Sequence, residues 1–461
     1  MNTITVVDAR MGRGKSSAAI RYMNRYKDSK RFLYITPYLD EVGRICERCD
    51  FDQPDSDHMS KSTELKLHMR LGHNIAATHS LFYLMDTEAL ELVRQKHYSL
   101  IVDESIQVIE RLNITNKDFD LIINQLATEH DDGRIEWLDD SYTGRFYDYK
   151  EMANTGSLFR LDSALLNILN PELLRSFDEV FMLTYLFDGQ YQKAYLDFFG
   201  FDYNIIGVVQ DESGYRFSDR PDAPPPLDYH ELIRIVDDPK LNAVGDKHYA
   251  LSKAWYDRRG YDNPEIRKLR NGLKKFFQSI PDGSSETRLW SCFKSDVNKL
   301  VDSRTGRFRN NFLQTSARAT NQYKSRTDIA YMVNRFADPN IMKFFAKQNV
   351  TIDPEHFALS EMLQWIWRSA IRDDKPINLY IPSRHMRELL INWINTTNQE
   401  DAQLNKRYHR PLPEDYLVEE RVPYTYEDAD LLNDDEALER FIESERFAFR
   451  EEWFRYVEEN E

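Results

Sequence analysis

The sequence predicts an α/β protein built on doubly wound parallel sheets. Short apolar runs rich in β-branched residues alternate with longer segments of helical periodicity. The first run leads directly into a glycine loop that opens a helix, and polar residues follow where later runs end. Ligands bind at the carboxyl ends of the strands in such sheets, so we expect the functional site there.

The composition is typical of a water-soluble protein with several domains. The chain has 461 residues, 41% hydrophobic and 30% charged, and its length suggests about two to four domains. Three cysteines in so long a chain indicate a reducing compartment, the cytoplasm, and we expect no membrane partner. Cys46 and Cys49 share one predicted helix; we interpret them as buried side chains, with a zinc pair as the alternative.

The acidity of the chain is concentrated at its C-terminus. Residues 411–461 contain 18 acidic residues and five arginines, which accounts for −13 of the net charge of −16. The rest of the chain is therefore nearly neutral and can carry basic grooves. Apolar residues at helical spacing within this tail predict an acidic helix. It is either packed on the body of the protein, or it docks a replication protein or competes with nucleic acid.

Residues 4–17 combine a strand, a glycine loop and a helix start, which is the order that a phosphate-binding loop requires. The glycines let the backbone approach phosphates without a Cβ in the way, and the N–H groups of the helix start point at the anion. Lys15 is expected to reach the β- and γ-phosphates of a nucleoside triphosphate, and the Ser16 hydroxyl to hold Mg²⁺. The predicted nucleotide-binding residues are Gly12, Arg13, Gly14, Lys15, Ser16, Ser17 and Asp103.

Further predicted strands lie on both sides of a proline-rich segment at 220–226, which is typical of a linker. Helices are predicted between them, including insertions over about 115–178 and 228–280. The predicted domains are residues 1–219, 220–400 and the tail 401–461. The predicted strands cover residues 31–36, 74–78, 98–102, 180–184, 288–293, 311–316, 329–333 and 377–381.

Two acids follow the apolar run at 98–102. Asp103 is expected to bind Mg²⁺ together with Ser16, and Glu104 to orient and deprotonate an attacking water. The alternative is a strand that ends in two solvated acids.

These segments resemble the motifs of superfamily 2 helicases of the DEAD/DEAH-like type, and more closely those of helicase-like proteins of Gram-positive phages and mobile elements. The resemblance covers about residues 1–390. Only Thr184 matches the usual motif III. The matching segments are residues 9–16 (motif I), 35–44 (Ia), 77–81 (Ib), 103–105 (II), 289–294 (IV), 317–321 (V) and 364–372 (VI).

The resemblance implies two RecA-like P-loop lobes with parallel sheets, helical insertions and the acidic helical tail. It implies an ATP hydrolase with ATP and Mg²⁺ as cofactors, acting as a helicase or translocase on single-stranded or forked DNA in a bacterial host cell, with RNA left open. Glu104, Gln364, Arg368 and Arg372 are its implied catalytic residues. Because they are four residues apart, we expect Arg368 and Arg372 on one helical face with Gln364, and which arginine acts is open.

The nucleic-acid contacts are predicted from motif position as loop hydroxyls and cations along the strand. Two other functions stay open: a packaging-type DNA motor, and a non-motor NTPase switch that binds a protein partner. Stimulation of ATP hydrolysis by nucleic acid distinguishes a motor from a switch. The predicted contact residues are Thr36, Pro37, Arg44, Thr78, His79, Lys294, Arg318, Thr320 and Asn321.

Overall fold

The computed structural model describes residues 3–56, 59–211, 214–219, 229–281, 283–302, 305–315 and 322–397. The predicted acidic tail (401–461) and the predicted linker (220–226) lie outside these residues.

Strands and helices alternate along most of the described chain. The strands are β1 (Ile4–Asp8), β2 (Arg31–Thr36), β3 (Ile75–Thr78), β4 (Tyr98–Asp103), β5 (Ile109–Arg111), β6 (Ala127–Glu129), β7 (Ile135–Trp137), β8 (Leu158–Leu161), β9 (Ala164–Ile168), β10 (Glu179–Thr184), β11 (Tyr203–Asp211), β12 (Gly214–Ser218), β13 (Ile233–Ile235), β14 (Arg288–Ser291), β15 (Asp328–Tyr331) and β16 (Ile377–Tyr380). The helices are α1 (Lys15–Tyr26), α2 (Leu39–Cys49), α3 (Lys61–Leu71), α4 (His79–Tyr83), α5 (Thr87–Lys96), α6 (Asn116–Leu121), α7 (Tyr147–Asn154), α8 (Glu172–Arg175), α9 (Tyr191–Phe198), α10 (Tyr229–Leu232), α11 (Pro239–Asn242), α12 (Lys253–Asp257), α13 (Pro264–Ser279), α14 (Val297–Leu300), α15 (Pro339–Ala346), α16 (Pro354–Ile366) and α17 (Arg384–Thr397).

A seven-stranded sheet in the order β12-β11-β1-β10-β4-β2-β3 forms the centre of the first lobe. All neighbours pair in parallel except β11 and β12, which form an antiparallel pair. Strands covered on both faces are near-continuous apolar runs, which is why the sequence reveals them. The predicted parallel α/β fold is confirmed. The polar residues at the carboxyl ends of neighbouring strands are Asp8, Thr36, Thr78, Asp103 and Thr184.

The insertion predicted as helical over about 115–178 is a mixed segment, so its helical description is wrong. It contains a three-stranded antiparallel sheet, β5-β9-β8, and a two-stranded one, β6-β7. Helices α6 and α7 accompany them, and the segment has its own apolar cluster around Trp137 and Phe146. Strands of three to five residues are too short for their period to be distinguished from that of a helix.

The second lobe is built on a four-stranded parallel sheet, β13-β16-β15-β14. Strand β13 lies within residues 228–280, so this segment is part of the sheet and not only a helical insertion. The strand predicted over 311–316 is also wrong for its described part: a 3-10 turn, Arg309–Asn311, is followed by one isolated bridge from Phe312 to Trp290.

The two lobes share an apolar core at α15. Phe344 and Phe345 of this helix are buried in the main cluster of the first lobe. The ring of Phe344 lies 5.7 Å from that of Phe159 on β8 and 5.3 Å from that of Phe198 on α9. A second-lobe helix is thus packed against the insertion and against α9 of the first lobe.

Among the residues that the structure describes, no helix is both long and apolar enough to cross a membrane.

We expect Phe345→Ala to destabilise the protein by about 3–5 kcal/mol, because it empties a fully buried ring position in the core that both lobes share. Denaturant unfolding measures the change. Leu84, which is 66% exposed, is the control, and its replacement by alanine is expected to change stability by less than about 0.5 kcal/mol. Equal effects of the two substitutions would show that α15 does not join the lobes.

Candidate functional site

The glycine loop (residues 9–14) connects β1 to α1. Gly12 and Gly14 have φ angles of 76° and 78°, in the left-handed region that side chains with a Cβ rarely adopt. Gly14 is the N-cap of α1 and offers no side chain to cap it, and the first turn of the helix contains no acidic residue. The first N–H groups of α1 therefore face the loop in the arrangement that binds anions.

Lys15 is folded back onto this loop. Its Nζ donates hydrogen bonds to two loop carbonyls, that of Ala9 and, at 3.0 Å, that of Arg10. Burial lowers the pKa of Lys15, and the negative charges of Glu104, Asp8 and Asp103 oppose this shift. The lysine is therefore a buried cation held by backbone oxygens and surrounded by carboxylates.

Asp103 ends β4 beside the start of α1. Its carboxylate accepts a hydrogen bond from the Ser16 hydroxyl at 3.3 Å. Burial, together with the charge of Glu104, raises the pKa of Asp103 to about 6, against the opposing charge of Lys15. A hydroxyl and a carboxylate are oxygen ligands of the kind that Mg²⁺ prefers, so this pair fits that ion.

Glu104 occupies a strained turn that faces the second lobe. Its φ of 65° is uncommon for a residue with a Cβ, and its N–H donates to the carbonyl of Leu183 on β10 at 3.1 Å. Its carboxylate accepts a hydrogen bond from Arg368 at 3.4 Å. The Arg368 side chain is 3% exposed, and its Nε has no hydrogen-bond partner within the described chain. Two predicted catalytic residues from different lobes thus lie together.

The predicted helical face of Gln364, Arg368 and Arg372 is not observed. Helix α16 ends two residues before Arg368. Ser369 is extended, with a ψ of −169°, and Arg372 belongs to the 3-10 turn Ala370–Asp373. Residues four apart share a face only in an unbroken helix, so the prediction of one helical face is wrong.

Arg372 nevertheless reaches the glycine loop. A Cβ on Gly12 would lie 3.1 Å from the Arg372 carbonyl oxygen, and the positive charge of Arg372 lowers the pKa of Lys15. Gln364 is engaged with its own helix instead, because its side-chain amide donates to the Ser360 hydroxyl at 3.2 Å.

Further contacts close over the loop in ways that the sequence did not indicate. A Cβ on Gly14 would overlap the ring of Tyr215, which belongs to the antiparallel strand β12. Arg13, predicted to bind nucleotide, forms an ion pair across the lobes with Asp374 at 3.4 Å. Ser17, the last residue of the predicted nucleotide-binding set, is exposed on α1. An isolated tyrosine in a short edge strand carries no recognisable signal, so Tyr215 could not have been found from the sequence.

Asp8 links the loop to the segment after β10. Its carboxylate accepts hydrogen bonds from the N–H groups of Leu186 and Phe187 at 3.0 and 3.1 Å. Burial raises the pKa of Asp8 to about 6, against the effect of these bonds and of the charge of Lys15. An acid at the end of an apolar run, directly before a glycine loop, is the sequence signal that points to Asp8.

An aromatic cluster joins the lobes beside the loop. Arg10 donates to the Tyr229 hydroxyl at 3.2 Å. The ring of Tyr229 lies 5.8 Å from that of Trp367 and 5.0 Å from that of Trp393. The indole N–H of Trp393 donates to the hydroxyl of Tyr185, just after β10, at 2.9 Å.

Among the predicted nucleic-acid contacts, Thr36 and Thr78 are register partners at the carboxyl ends of β2 and β3. Thr36 is fully buried, and its hydroxyl has no hydrogen-bond partner in the described residues. Thr78 caps α4 by accepting from the N–H of Leu81 at 3.3 Å. His79 is buried, with its Nε2 3.0 Å from the carbonyl oxygen of Asp103, so this ring contacts the end of β4.

The remaining predicted contacts are scattered. Arg44 forms an ion pair with Glu41 on the same helix at 2.7 Å. Pro37 is half-buried after β2, and Lys294 is exposed in the second lobe. The other three, Arg318, Thr320 and Asn321, lie outside the described residues.

Several solved structures can be superposed on most of this chain at low sequence identity. An XPD helicase gives a TM-score of 0.45 at 11% identity, covering 85% of this chain and 95% of that chain. Xpd4 of S. tokodaii gives a TM-score of 0.46 at 12% identity, covering 85% of this chain and 94% of that chain. The Mycobacterium smegmatis helicase Lhr bound to single-stranded DNA and AMP-PNP gives a TM-score of 0.38 at 10% identity, covering 87% of this chain and 47% of that chain. At these TM-scores the similarity identifies neither an activity nor a ligand.

Sequence comparisons are more specific. Residues 227–394 match the YonV C-terminal Rossmann-like domain, and residues 109–167 match the YonV middle domain. The SPbeta prophage-derived uncharacterized protein YonV of Bacillus subtilis (strain 168) is 35% identical over 414 residues, which are 86% of this chain and 99% of that protein. The expected relationship to phage proteins is confirmed. With this identity over nearly the whole of its relative, the chain belongs to the YonV family.

Proposed function

We propose that the chain is an ATP-dependent helicase or translocase that acts on DNA in phage or mobile-element replication or recombination. The observation that carries this proposal is the contact between Arg368 of the second lobe and Glu104 of the first, at 3.4 Å. Motors of this type couple hydrolysis to lobe closure through a cation from the opposite lobe.

In this proposal, the loop and α1 bind the triphosphate of ATP. Lys15 would exchange its two carbonyl partners for phosphate oxygens, which is a stronger interaction because both partners are then charged. Ser16 and Asp103 would hold Mg²⁺, which would supply neutralisation of phosphate charge. The first N–H groups of α1 complete the cradle.

Hydrolysis then requires a base and a cation at the γ-phosphate. Glu104 takes a proton from the attacking water while the water oxygen bonds to the γ-phosphorus and the bond to the ADP oxygen breaks. Arg368 donates to the γ-phosphate oxygens, on which negative charge must be stabilised. Because Arg368 contacts Glu104, transfer of the arginine to the γ-phosphate would also free the carboxylate to act as the base.

The DNA component of the proposal is supported by the prophage origin of the relative and by the edge of the sheet that carries the site. Thr78, which is half-buried, lies on that edge at the end of β3, beside the fully buried Thr36 at the end of β2. Loop hydroxyls and N–H groups in such positions bind phosphates of a strand without reading its bases.

A non-motor NTPase switch is the second candidate, favoured by the shared core at α15. Phe344 and Phe345 join the lobes through buried apolar contacts, which restrict how far the lobes can separate. A switch needs only a local rearrangement at the nucleotide.

We expect ATP hydrolysis to rise several-fold with single-stranded DNA, and Lys15→Ala to reduce it at least about 100-fold, because the substitution removes a preorganised charge at the phosphates. Steady-state phosphate release with single-stranded DNA, duplex DNA and RNA measures both effects. Lys117→Ala, at an exposed lysine in the insertion, is the control. Full hydrolysis by Lys15→Ala contradicts the nucleotide site, whereas hydrolysis indifferent to every nucleic acid supports the switch. Stimulation by RNA alone would show that the nucleic-acid substrate is RNA and not DNA.

We expect Arg368→Ala to lower kcat by about 10³-fold while ATP affinity stays nearly unchanged, as for other cations supplied across a cleft. Arg368→Lys should not rescue turnover, because an ammonium lacks the planar fork of the guanidinium. Arg372→Ala is the matched comparison and should lower kcat less than Arg368→Ala does, since the Arg368 side chain is the one in contact with Glu104. A larger loss in Arg372→Ala would reverse this assignment.

We expect acid to weaken Mg²⁺–ADP binding about tenfold between about pH 7 and about pH 5. The pKa of Asp103 is about 6, so its carboxylate is mostly ionised at the higher pH and about nine-tenths protonated at the lower. Calorimetric titration at both values measures the effect. Asp103→Asn should remove this contribution, and the pH dependence that it retains belongs to the nucleotide and to Asp8, whose pKa burial also raises to about 6. Identical profiles for the two proteins would show that Asp103 does not bind the ion.

A further inference from the structure

We propose that Asp52, His68 and His73 form a zinc-type metal site in the first lobe. The site lies at the amino end of β3, at the opposite end of this strand from Thr78. It is therefore separate from the nucleotide cleft, and the proposal does not depend on the function proposed above.

The two histidines are brought together by the end of α3. Gly72 ends this helix in the left-handed conformation, with a φ of 75°, and its N–H donates to the carbonyl of Met69. The N–H of His73 donates to the carbonyl of His68 at 3.1 Å. The side chains at these two positions of such a helix end usually form an apolar contact. Here both are imidazoles, with ring centroids 5.4 Å apart.

The third residue presents a carboxylate to the same point. The Nδ1 atoms of His68 and His73 are 3.2 Å apart, and Asp52 Oδ2 lies 3.4 Å from the first and 2.5 Å from the second. Zinc–nitrogen bonds of about 2.0–2.1 Å place two ligands of a tetrahedral ion ~3.3 Å apart. The separations of 3.2 and 3.4 Å are already close to that length. The separation of 2.5 Å between Asp52 Oδ2 and His73 Nδ1 needs to increase by less than about 1 Å.

The backbones of the ligands are fixed by the edge of the sheet. Asp52 donates its N–H to Asn74 and accepts from the N–H of Ala76, both at 2.9 Å. The Tyr98 hydroxyl donates to the carbonyl of His73 at 2.6 Å. Ligands held on rigid elements with supporting hydrogen bonds need little reorganisation to bind an ion.

The donor set selects the kind of metal. Two imidazole nitrogens and one carboxylate suit zinc and its neighbours in the first transition row, whereas Mg²⁺ and Ca²⁺ prefer oxygen alone. The side chains of His73 and Asp52 are 42% and 46% exposed, so water can fill the fourth position. The ion would tie the segment after α2 to the turn between α3 and β3.

The nearby cysteines do not compete well for this metal. Burial raises the pKa of Cys49 to about 11 and also raises the pKa of Cys46, which disfavours the thiolates that bind zinc. Substitution in this cysteine pair therefore provides a control that distinguishes the proposed site from a thiolate zinc site.

The test uses the full-length protein, stripped of metal and titrated with Zn²⁺ and with Co²⁺ while excess Mg²⁺ occupies oxygen-only sites. We expect one equivalent to bind, and the Co²⁺ form to show visible d–d bands without a thiolate charge-transfer band. His68→Ala and His73→Ala should each weaken Zn²⁺ binding at least about 100-fold, more than the loss of an outer-shell partner. Zn²⁺ should raise the Tm of the parent protein and not that of these variants.

Two control variants should bind Zn²⁺ like the parent protein. Cys46→Ser tests the cysteine pair, and His97→Ala removes a surface histidine that pairs with Asp178 at 3.0 Å without a third ligand. Asp52→Asn keeps the shape of the side chain and should still lose affinity, so the test does not depend on the folding of the histidine variants. Absence of stoichiometric binding, a thiolate band, or unchanged affinity in Asp52→Asn would overturn the proposal.

Discussion

A buried arginine that faces a carboxylate of the opposite lobe is the interaction on which the cleft depends. Arg368 is 3% exposed, and a buried charge of this kind is costly unless it is paired. Glu104 provides the pair, and the turn that presents it has a positive φ. The charges of Lys15 and Arg372 lie beside Asp103 in the same region. Cations and carboxylates balance each other here, so any anion that binds in the cleft has to compete with these carboxylates for the cations.

The lobes also meet at a second position, which limits their relative motion. At α15, Phe344 and Phe345 are packed against the first lobe, and Asp162 of the insertion forms ion pairs with Lys343 and Lys347, both at 2.9 Å. These ion pairs are about half exposed and add little stability, so the apolar contact dominates. Opening of the cleft must therefore pivot about α15, because a rigid separation of the lobes would expose this core.

The sequence was sufficient to predict those elements whose residue pattern depends on the element alone and not on its neighbours in the fold. The strands from β1 to β4 and β10 are buried apolar runs, and the glycine loop is a local motif. The short antiparallel strands, including β12 with Tyr215, have no such pattern. Helix α16 ends early because Ser369 is extended, which spacing alone cannot show. His68 and His73 lie close in sequence, but only the left-handed Gly72 and the packing of Asp52 on β3 bring the three ligands together.

A set of contacts connects the glycine loop to the helix that precedes the arginine. Asp8 holds the N–H of Leu186, whose own φ of 59° is positive, and so fixes the segment after β10. In that segment the Gln190 side-chain amide donates to the Thr184 hydroxyl and to the Tyr185 carbonyl, both at 2.8 Å, and its nitrogen lies 3.5 Å from the Ser360 hydroxyl oxygen on α16. Helix α16 ends two residues before Arg368. Burial raises the pKa of Asp8 to about 6 against the opposing charge of Lys15, so any movement of the lysine would change the electrostatic field at Asp8. The segment that Asp8 fixes contacts α16, so the state of the loop and the position of the arginine are physically linked.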